Sequence, residues 1–433
     1  MYLYASLLQR RADEKPVRVG LIGAGKFGAM FLSQVPSTPG LIVTTIADLD
    51  PAQARNRCRE VGWDDARVNA IEFVEDAERL IRADTVDVVV EATGHPAAGI
   101  HHALLCVEHG KHVVMVNVEA DVLAGPYLAQ QARQAGLVYS MAYGDQPALT
   151  MEMIDWARSC GFEVVAAGKG TKYLPDYHAS TPDTVWSHYG LSAEEAAAAG
   201  MRSQMFNSFL DGTKSGIEMA AIANAADLQA PSDGLAFPPC GAEELAQILR
   251  PRNAGGELEF TGQVEVVSSL HRDGSDVERD LRWGVYCVFE APNDYTAACF
   301  RQYGMNTDDS GRYSAMFKPF HLIGLELNIS ILSAALRGQP TGAPQCFNAD
   351  VVAVAKRDLD VGESLDGEGG YTVWGKIMPA DASIASQALP IGLASDVKLT
   401  SKIKSGQVIT RHDIDADTTT QAWQVRNRML EVL

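Results

Sequence analysis

Apolar residues over the first 145 positions fall into two alternating rhythms. Short apolar runs at Val17 to Ile22, Leu41 to Ala47, Thr85 to Glu91, His112 to Val116 and Leu137 to Ser140 have the length and β-branched content of buried strands. Helical patterns separate them, such as Ala97 to His109, closed by Gly110 as a glycine cap. Tyr2 to Ala12 predicts a short amphipathic helix ahead of the first strand. Strands alternating with helices imply parallel βαβ units in a doubly wound sheet. Beyond Cys160 the rhythm changes. Phe162 to Gly168, Glu259 to Leu270, Leu281 to Ala291 and Tyr295 to Tyr303 read as strands, with Asp273-Gly274 in a turn. Ala193 to Ala199 and Lys214 to Ala226 read as helices, and Phe320 to Arg337 as one long helix. Gln339 to Pro344 is a linker, after which short strands and turns alternate at Val351 to Lys356, Leu359 to Glu363 and Lys404 to Thr410. The expected division is a nucleotide domain over 1–148, an α+β catalytic and dimerisation domain over 149–340, and a small β-rich domain over 341–433.

Gly23-Ala24-Gly25-Lys26-Phe27-Gly28 follows directly on the first strand and opens a helix. In that setting G-x-G-x-x-G is a dinucleotide fingerprint. Gly23 permits the tight turn, Gly25 lets the backbone approach a pyrophosphate, and Gly28 lets helix and strand pack closely. Lys26 and Phe27 complete the loop, and the helix N-terminus offers N–H groups to the anion. Asp48 ends the second strand, where a carboxylate accepts from ribose hydroxyls. Ligands of such sheets lie at the carboxyl ends of the strands, which puts Thr93, Gly94, His95 and Asn117 on the same rim. The expected fold class is α/β, a Rossmann doubly wound parallel sheet with an α+β catalytic domain and a β-rich tail. The carboxylate of Asp48 favours NADH, because a 2′-phosphate would meet a like charge. Arg55 and Arg57, one or two helical turns on, could compensate, so NADPH stays open.

A chain of 433 residues can bury a sizeable core, and its net charge of −19 argues against nucleic acid or an anionic membrane surface as partner. The cysteines number seven, an odd count, with no C-x-x-C spacing, which predicts reduced thiols and a cytoplasmic protein. No apolar run reaches the ~18 residues of a membrane span, and Arg10 and Arg11 follow rather than precede the short apolar stretch at the start.

Three groups are candidates for chemistry. Lys169-Gly170-Thr171-Lys172, at the end of a predicted strand, reads either as a clamp for an anionic substrate or as a solvated basic turn. Lys214 and Glu218, four apart, share one face of a predicted helix whose other residues are apolar or small. A buried lysine there could exchange a proton with a hydroxyl under oxidation, where an exposed pair would be a minor surface contact. Of the histidines, His95 faces the cofactor rim, His101 and His102 are structural, and His178 and His188 carry no motif. His321 could serve only if its helix returns to the nucleotide domain. Asp145, Glu152 and Asp155 could meet a hydrated divalent ion or solvate a helix start.

These residues carry a family resemblance. Arg18 to Gly28, Val114 to Glu119 and Lys214 to Asn224 resemble homoserine dehydrogenases. The whole chain, through Arg18 to Gly28, Ala167 to Pro175 and Phe317 to Leu322, looks like the 1-deoxy-D-xylulose 5-phosphate reductoisomerase-like (DRL) enzymes, and the tail from Asp350 is similar to a SAF β-clip domain. The chain departs from the homoserine pattern where Val118 follows Asn117, and where Lys214 and Glu218 stand with their charges exchanged. The resemblance implies that NADPH reduces a carbonyl formed by rearranging a phosphorylated ketose, in isoprenoid precursor synthesis. It further implies that Lys214 and Glu218 share the proton work, that Lys169, Thr171 and Lys172 hold anionic oxygens, that a divalent cation grips the ketol oxygens through unassigned ligands, and that the protein is a homodimer. The alternative is an NAD(P)-dependent dehydrogenase of a small hydroxy acid or sugar acid.

Overall fold

The computed structural model describes residues 2–432 and divides the chain into two compact units. The first gathers the chain up to Glu152, His321–Gln345 and the residues from Gln424 onward. It holds six strands, β1 (Val17–Ile22), β2 (Leu41–Ala47), β3 (Glu72–Val74), β4 (Val88–Glu91), β5 (His112–Met115) and β6 (Tyr139–Met141). They form a parallel sheet in the order β3-β2-β1-β4-β5-β6, so the winding reverses between β1 and β4. Strands covered on both faces are apolar throughout. Val19, Leu21, Ile46, Val88, Val90 and Val114 are buried with Phe31 and Leu32 of the Lys26–Gln34 helix. Each such side chain contributes about 1.5–3 kcal/mol of burial.

The helix expected over Phe320 to Arg337 is confined to Asn328–Arg337. The break has a steric cause at Gly324. Its φ is +75°, and a Cβ there would lie 2.7 Å from Met30 Cβ and 2.8 Å from the Phe27 carbonyl. The chain must therefore turn against the Lys26–Gln34 helix before Leu327 and Ile331 can enter the core of the sheet.

The second unit comprises Met153–Phe320 and Cys346–Trp423. Its main sheet contains β7 (Glu163–Thr171), β8 (Gln263–Ser268), β9 (Val285–Glu290), β10 (Asn306–Thr307) and β11 (Tyr313–Lys318), in the order β10-β11-β9-β7-β8. Only β7 and β8 run parallel. The tail adds the antiparallel pair β12 (Ala349–Ala355) and β14 (Val373–Pro379), and a three-stranded sheet of β13 (Ser364–Asp366), β15 (Ser395–Leu399) and β16 (Ile414–Asp415). Between the main sheet and the β12–β14 pair lies the Thr213–Ala226 helix, of which every residue but Lys214 is buried. Asn224 Oδ1 accepts from the backbone N–H groups of Asn348 (2.8 Å) and Ala349 (2.9 Å), and Thr213 Oγ1 accepts from Gly375 N (2.8 Å). A helix apolar on all sides needs cover on both faces. That is why residues 346–423 cluster with the main sheet instead of standing apart as a third body.

Tyr295 to Tyr303, expected as a strand, is the Asp294–Gln302 helix, capped by Asn293, whose side chain accepts from Thr296 N. Leu359 to Glu363 and Lys404 to Thr410 form isolated bridges rather than strands. No helix among the described residues is long and apolar enough to cross a membrane.

Candidate functional site

In the first unit the glycine loop has the geometry its spacing predicts. Gly23 takes φ +92°, and a Cβ there would lie 2.7 Å from the Ala92 carbonyl. A Cβ on Gly28 would lie 2.5 Å from the Gly23 carbonyl, so helix and loop pack at glycine distance. Gly25 is different, because a Cβ there would meet nothing within 4 Å. It is the N-cap of the Lys26–Gln34 helix and gives no side-chain capping bond, so the first-turn N–H groups face open space. An open cradle of uncapped N–H groups fits a diphosphate. Lys26 is exposed beside it, and Phe27 packs its ring against the core. Asp48 braces the loop, with Oδ2 accepting from Ala24 N at 2.8 Å and Oδ1 from Asp50 N at 3.0 Å. The two arginines beyond it are engaged with other groups. Arg55 lies 4.5 Å over the Phe73 ring and reaches Asn69, and Arg57 pairs with Glu60 at 2.8 Å.

The second half of the rim is one hydrogen-bonded network. Asn117 Nδ2 donates to the His95 carbonyl (2.9 Å) and to Thr93 Oγ1 (3.4 Å), and its Oδ1 caps its own helix at Ala120 N. Thr93 Oγ1 donates to Glu91 Oε1 at 2.6 Å, and His102 Nδ1 reaches the same oxygen at 3.1 Å. His95 caps the following helix by accepting from Ala98 N through Nδ1 (3.3 Å). The structure thus brings Thr93, Gly94, His95 and Asn117 together on a buried post, Glu91, which the sequence reading passed over. The signal was a carboxylate at the end of an apolar strand, where burial demands a partner. His321 does belong to this unit.

In the second unit β7 runs straight through Lys169-Gly170-Thr171, where a flexible basic turn was one expectation. Lys169 is 5% exposed and forms a buried ion pair with Glu218, itself 4% exposed, from the Thr213–Ala226 helix. Glu218 therefore takes its charge partner from the neighbouring strand, while Lys214, half-buried, stands one turn away. Removing one member of such a pair leaves a buried charge uncompensated, at a cost of about 3–5 kcal/mol. Lys169 is thus neutralised within the protein. Thr171 is half-buried and its carbonyl accepts from Ser269 N. Lys172 lies just past the strand and donates to the His188 carbonyl at 2.5 Å.

The second unit also holds a stacked aromatic group. Tyr173 stacks on Phe237 and His178 on Trp374, each at 3.8 Å between centroids. His178 Nδ1 donates to the Asp211 carbonyl at 2.7 Å, leaving Nε2 to accept from the Tyr173 hydroxyl at 2.9 Å. Burial lowers the His178 pKa, in keeping with that neutral tautomer. Asp211 is fully buried, and burial raises its pKa against the pull of Lys356, its partner at 2.8 Å. Lys356 also donates to the carbonyls of Ser180 and Gly370, so this second pair is a structural tie to the tail. Among the described residues no three His, Cys, Asp or Glu side chains converge as metal ligands. Glu152 accepts from the Tyr143 hydroxyl, and Asp145 caps Gln146 N. No ligand set for a divalent cation is built from these residues.

Residues 144–327 match the model of the oxidoreductase DRL catalytic domain, and residues 19–140 match that of the homoserine dehydrogenase NAD-binding domain. The first contains Lys169, Lys172, Lys214 and Glu218, and the second the glycine loop and its rim. No curated protein matches the chain. Among solved structures, an oxidoreductase domain protein from Kribbella flavida is 17% identical with a TM-score of 0.30, over 38% of this chain and 44% of that one. A 3-ketoreductase from Actinomadura kijaniata, solved with NADP and TDP-benzene, is 20% identical with a TM-score of 0.28, over 37% and 48%. A probable dehydrogenase from Thermotoga maritima is 15% identical with a TM-score of 0.39, over 75% and 90%. The chain spans a little under half the length of the first two of these relatives.

Proposed function

We propose that this NAD(P)-dependent oxidoreductase, with its DRL-type catalytic domain, works as a reductoisomerase. It would rearrange 1-deoxy-D-xylulose 5-phosphate and reduce the product to 2-C-methyl-D-erythritol 4-phosphate, a step of isoprenoid precursor synthesis. The observation that carries this reading is the buried Lys169–Glu218 pair inside the segment matched by the catalytic-domain model. Rearranging an α-hydroxy ketone requires a base for the hydroxyl proton and a cation or acid at the neighbouring carbonyl. A carboxylate and an ammonium group held against each other supply both. Bound NAD(P)H supplies the hydride. Glu218 takes and returns the proton, Lys169 steadies the developing oxyanion, and Lys214, one turn before Glu218, assists the proton transfer. Thr171 and Lys172 hold the anionic part of the substrate. A cytoplasmic homodimer with a SAF-like tail completes the proposal.

The test is coenzyme oxidation by the full chain with deoxyxylulose phosphate, with the product identified by mass spectrometry. The expected outcome is one coenzyme oxidised per methylerythritol phosphate formed, and a loss of about 10²–10⁴ in kcat for Glu218→Gln. A chain that binds NADPH yet oxidises none with the phosphosugar would remove this reading. A second reading, a dehydrogenase of a small hydroxy acid or sugar acid, draws on the Asp48 carboxylate, which suits NAD better than a coenzyme carrying a 2′-phosphate. Reduction of NAD by a hydroxy acid, with no turnover of the phosphosugar, is its signature.

A further inference from the structure

Lys172 and Arg282 are the basis of a second inference in the second unit. Among the described residues neither forms an ion pair, although the chain carries a net charge of −19 and many of its other cations are matched. Both sit against one ring, with Lys172 Nζ and Arg282 Cζ each 5.9 Å from the centroid of Tyr189. Arg282 also lies 4.8 Å over Trp283, and its guanidinium makes no hydrogen bond to a described residue, while its backbone N–H is held by Asp280. Lys172 spends one donor on the His188 carbonyl and keeps two.

The two cations are held together by the backbone. A Cβ on Gly170 would collide with the Leu281 carbonyl, so only glycine lets residues 281–284 cross the end of β7. Gly170 N donates to the Gly284 carbonyl at 3.1 Å and fixes that crossing. The pair repels itself. Burial lowers the Lys172 pKa first, Arg282 lowers it further, and only exposed Asp276 opposes them. His188, on the same side, is pushed down by burial and by Lys172, so it adds no positive charge that would need its own partner. Asp211, the carboxylate felt by Tyr189, is already matched by Lys356. Two half-buried cations without a counter-charge are stable only at a cost that a bound anion removes.

We propose that Lys172 and Arg282 form a subsite for a phosphate monoester, gripped by the Arg282 fork and the Lys172 ammonium over the Tyr189 ring. The charge decides the class of anion. Two fixed cations match a phosphate dianion, whereas a carboxylate would leave one of them unmatched. Lys169 is excluded because Glu218 neutralises it. Lys172 follows it by three residues, roughly 10 Å of extended chain, so the subsite lies along the same strand end as the proposed proton-handling pair. Identifying the phosphate as part of the substrate rests on the reductoisomerase reading, but the binding itself does not.

The experiment measures inorganic phosphate binding to the full chain by titration calorimetry, with acetate at equal ionic strength as the comparison. Lys172→Gln and Arg282→Gln are tested beside Lys404→Gln, an exposed control paired with Asp358. Phosphate affinity should fall about tenfold or more in each of the first two variants and stay unchanged in the control, with acetate weak throughout. Phosphate affinity within twofold of wild type in both variants overturns the subsite. If either variant fails to fold, the other decides, because the two residues lie on separate segments. The KM for deoxyxylulose phosphate separates this proposal from the reaction. Turnover with KM unmoved in Arg282→Gln refutes the subsite alone. No turnover in wild type, with phosphate binding lost in the variants, refutes the reaction alone and supports the subsite.

Discussion

Asp121 should make the first unit less stable as pH rises from about 4 to neutrality, and Asp121→Asn should abolish the effect. Its side chain is 3% exposed at the start of the Val118–Gln134 helix. Oδ1 accepts from the Tyr139 hydroxyl at 2.8 Å. Oδ2 is buried with no hydrogen-bond partner among the described residues. Beside it lies a small pocket lined by Met115, Val118, Met141, Ala142, Pro147 and Ala148, with Asp145 at its wall. Burial, opposed by the Tyr139 bond, lifts the carboxyl from 3.8 to about 7. The folded state therefore keeps its proton over a range in which the unfolded chain has lost it. Below about pH 4 both states are protonated and the group costs nothing. Between the two values the penalty grows, and above about pH 7 it is complete. A shift of about 3 units at 1.36 kcal/mol each amounts to about 4 kcal/mol. Asparagine keeps the shape and the oxygen that accepts from Tyr139, and it cannot ionise. Hydrogen exchange, corrected for intrinsic rates, over peptides spanning residues 112–148 reports local and global opening of this unit. Wild-type protection should fall between pH 5 and pH 8 by most of that amount, while Asp121→Asn stays level and ends more stable. Parallel pH profiles for the two proteins would refute the reasoning.

Two further outcomes follow from the site. Asp48→Ala removes both the acceptor for Ala24 N and the charge that repels a 2′-phosphate. The ratio of kcat/KM for NADH over NADPH should fall about tenfold or more, and steady-state rates with both coenzymes that leave the ratio unchanged would refute the role. Lys169→Met and Glu218→Leu should each destabilise the second unit by about 3–5 kcal/mol in urea unfolding, and the double variant by clearly less than their sum. Additive losses would mean that the two charges do not compensate each other.

The nucleotide half was legible because its signals are local. A six-residue, largely apolar strand, a glycine loop and an acid at the next strand end are all read within about thirty positions, and each is where the sequence puts it. The Asp294–Gln302 helix was missed because Tyr295, Phe300 and Tyr303 look like strand residues, although Asn293 and Asp294 form a helix start. What could not be read was packing over long separations. Glu218 finds Lys169 49 positions away, Asn224 finds Ala349 125 positions away, and His321–Gln345 rejoins the first unit. No periodicity encodes such pairings, because the pattern says only that a face is apolar and not what covers it.

The two lysines of the basic stretch show what that difference does to function. In the sequence Lys169 and Lys172 are equivalent cations around Gly170-Thr171. Lys169 lies within β7, whereas Lys172 lies just past its end. The strand persists through Thr171 because Gly168 and Gly170 are demanded by neighbours, not by a turn, and a Cβ on either would strike a carbonyl, of Glu265 or of Leu281. One lysine is thereby delivered to a buried carboxylate and the other to a second cation. An ammonium held against Glu218 stays beside the proposed base, where the reductoisomerase reading has it steady the developing oxyanion. An ammonium beside Arg282 can lower its energy only by gaining an anion, which suits binding. Separate losses in the Lys169 and Lys172 variants, the first in kcat and the second in KM for a phosphorylated substrate, are what this division of labour requires.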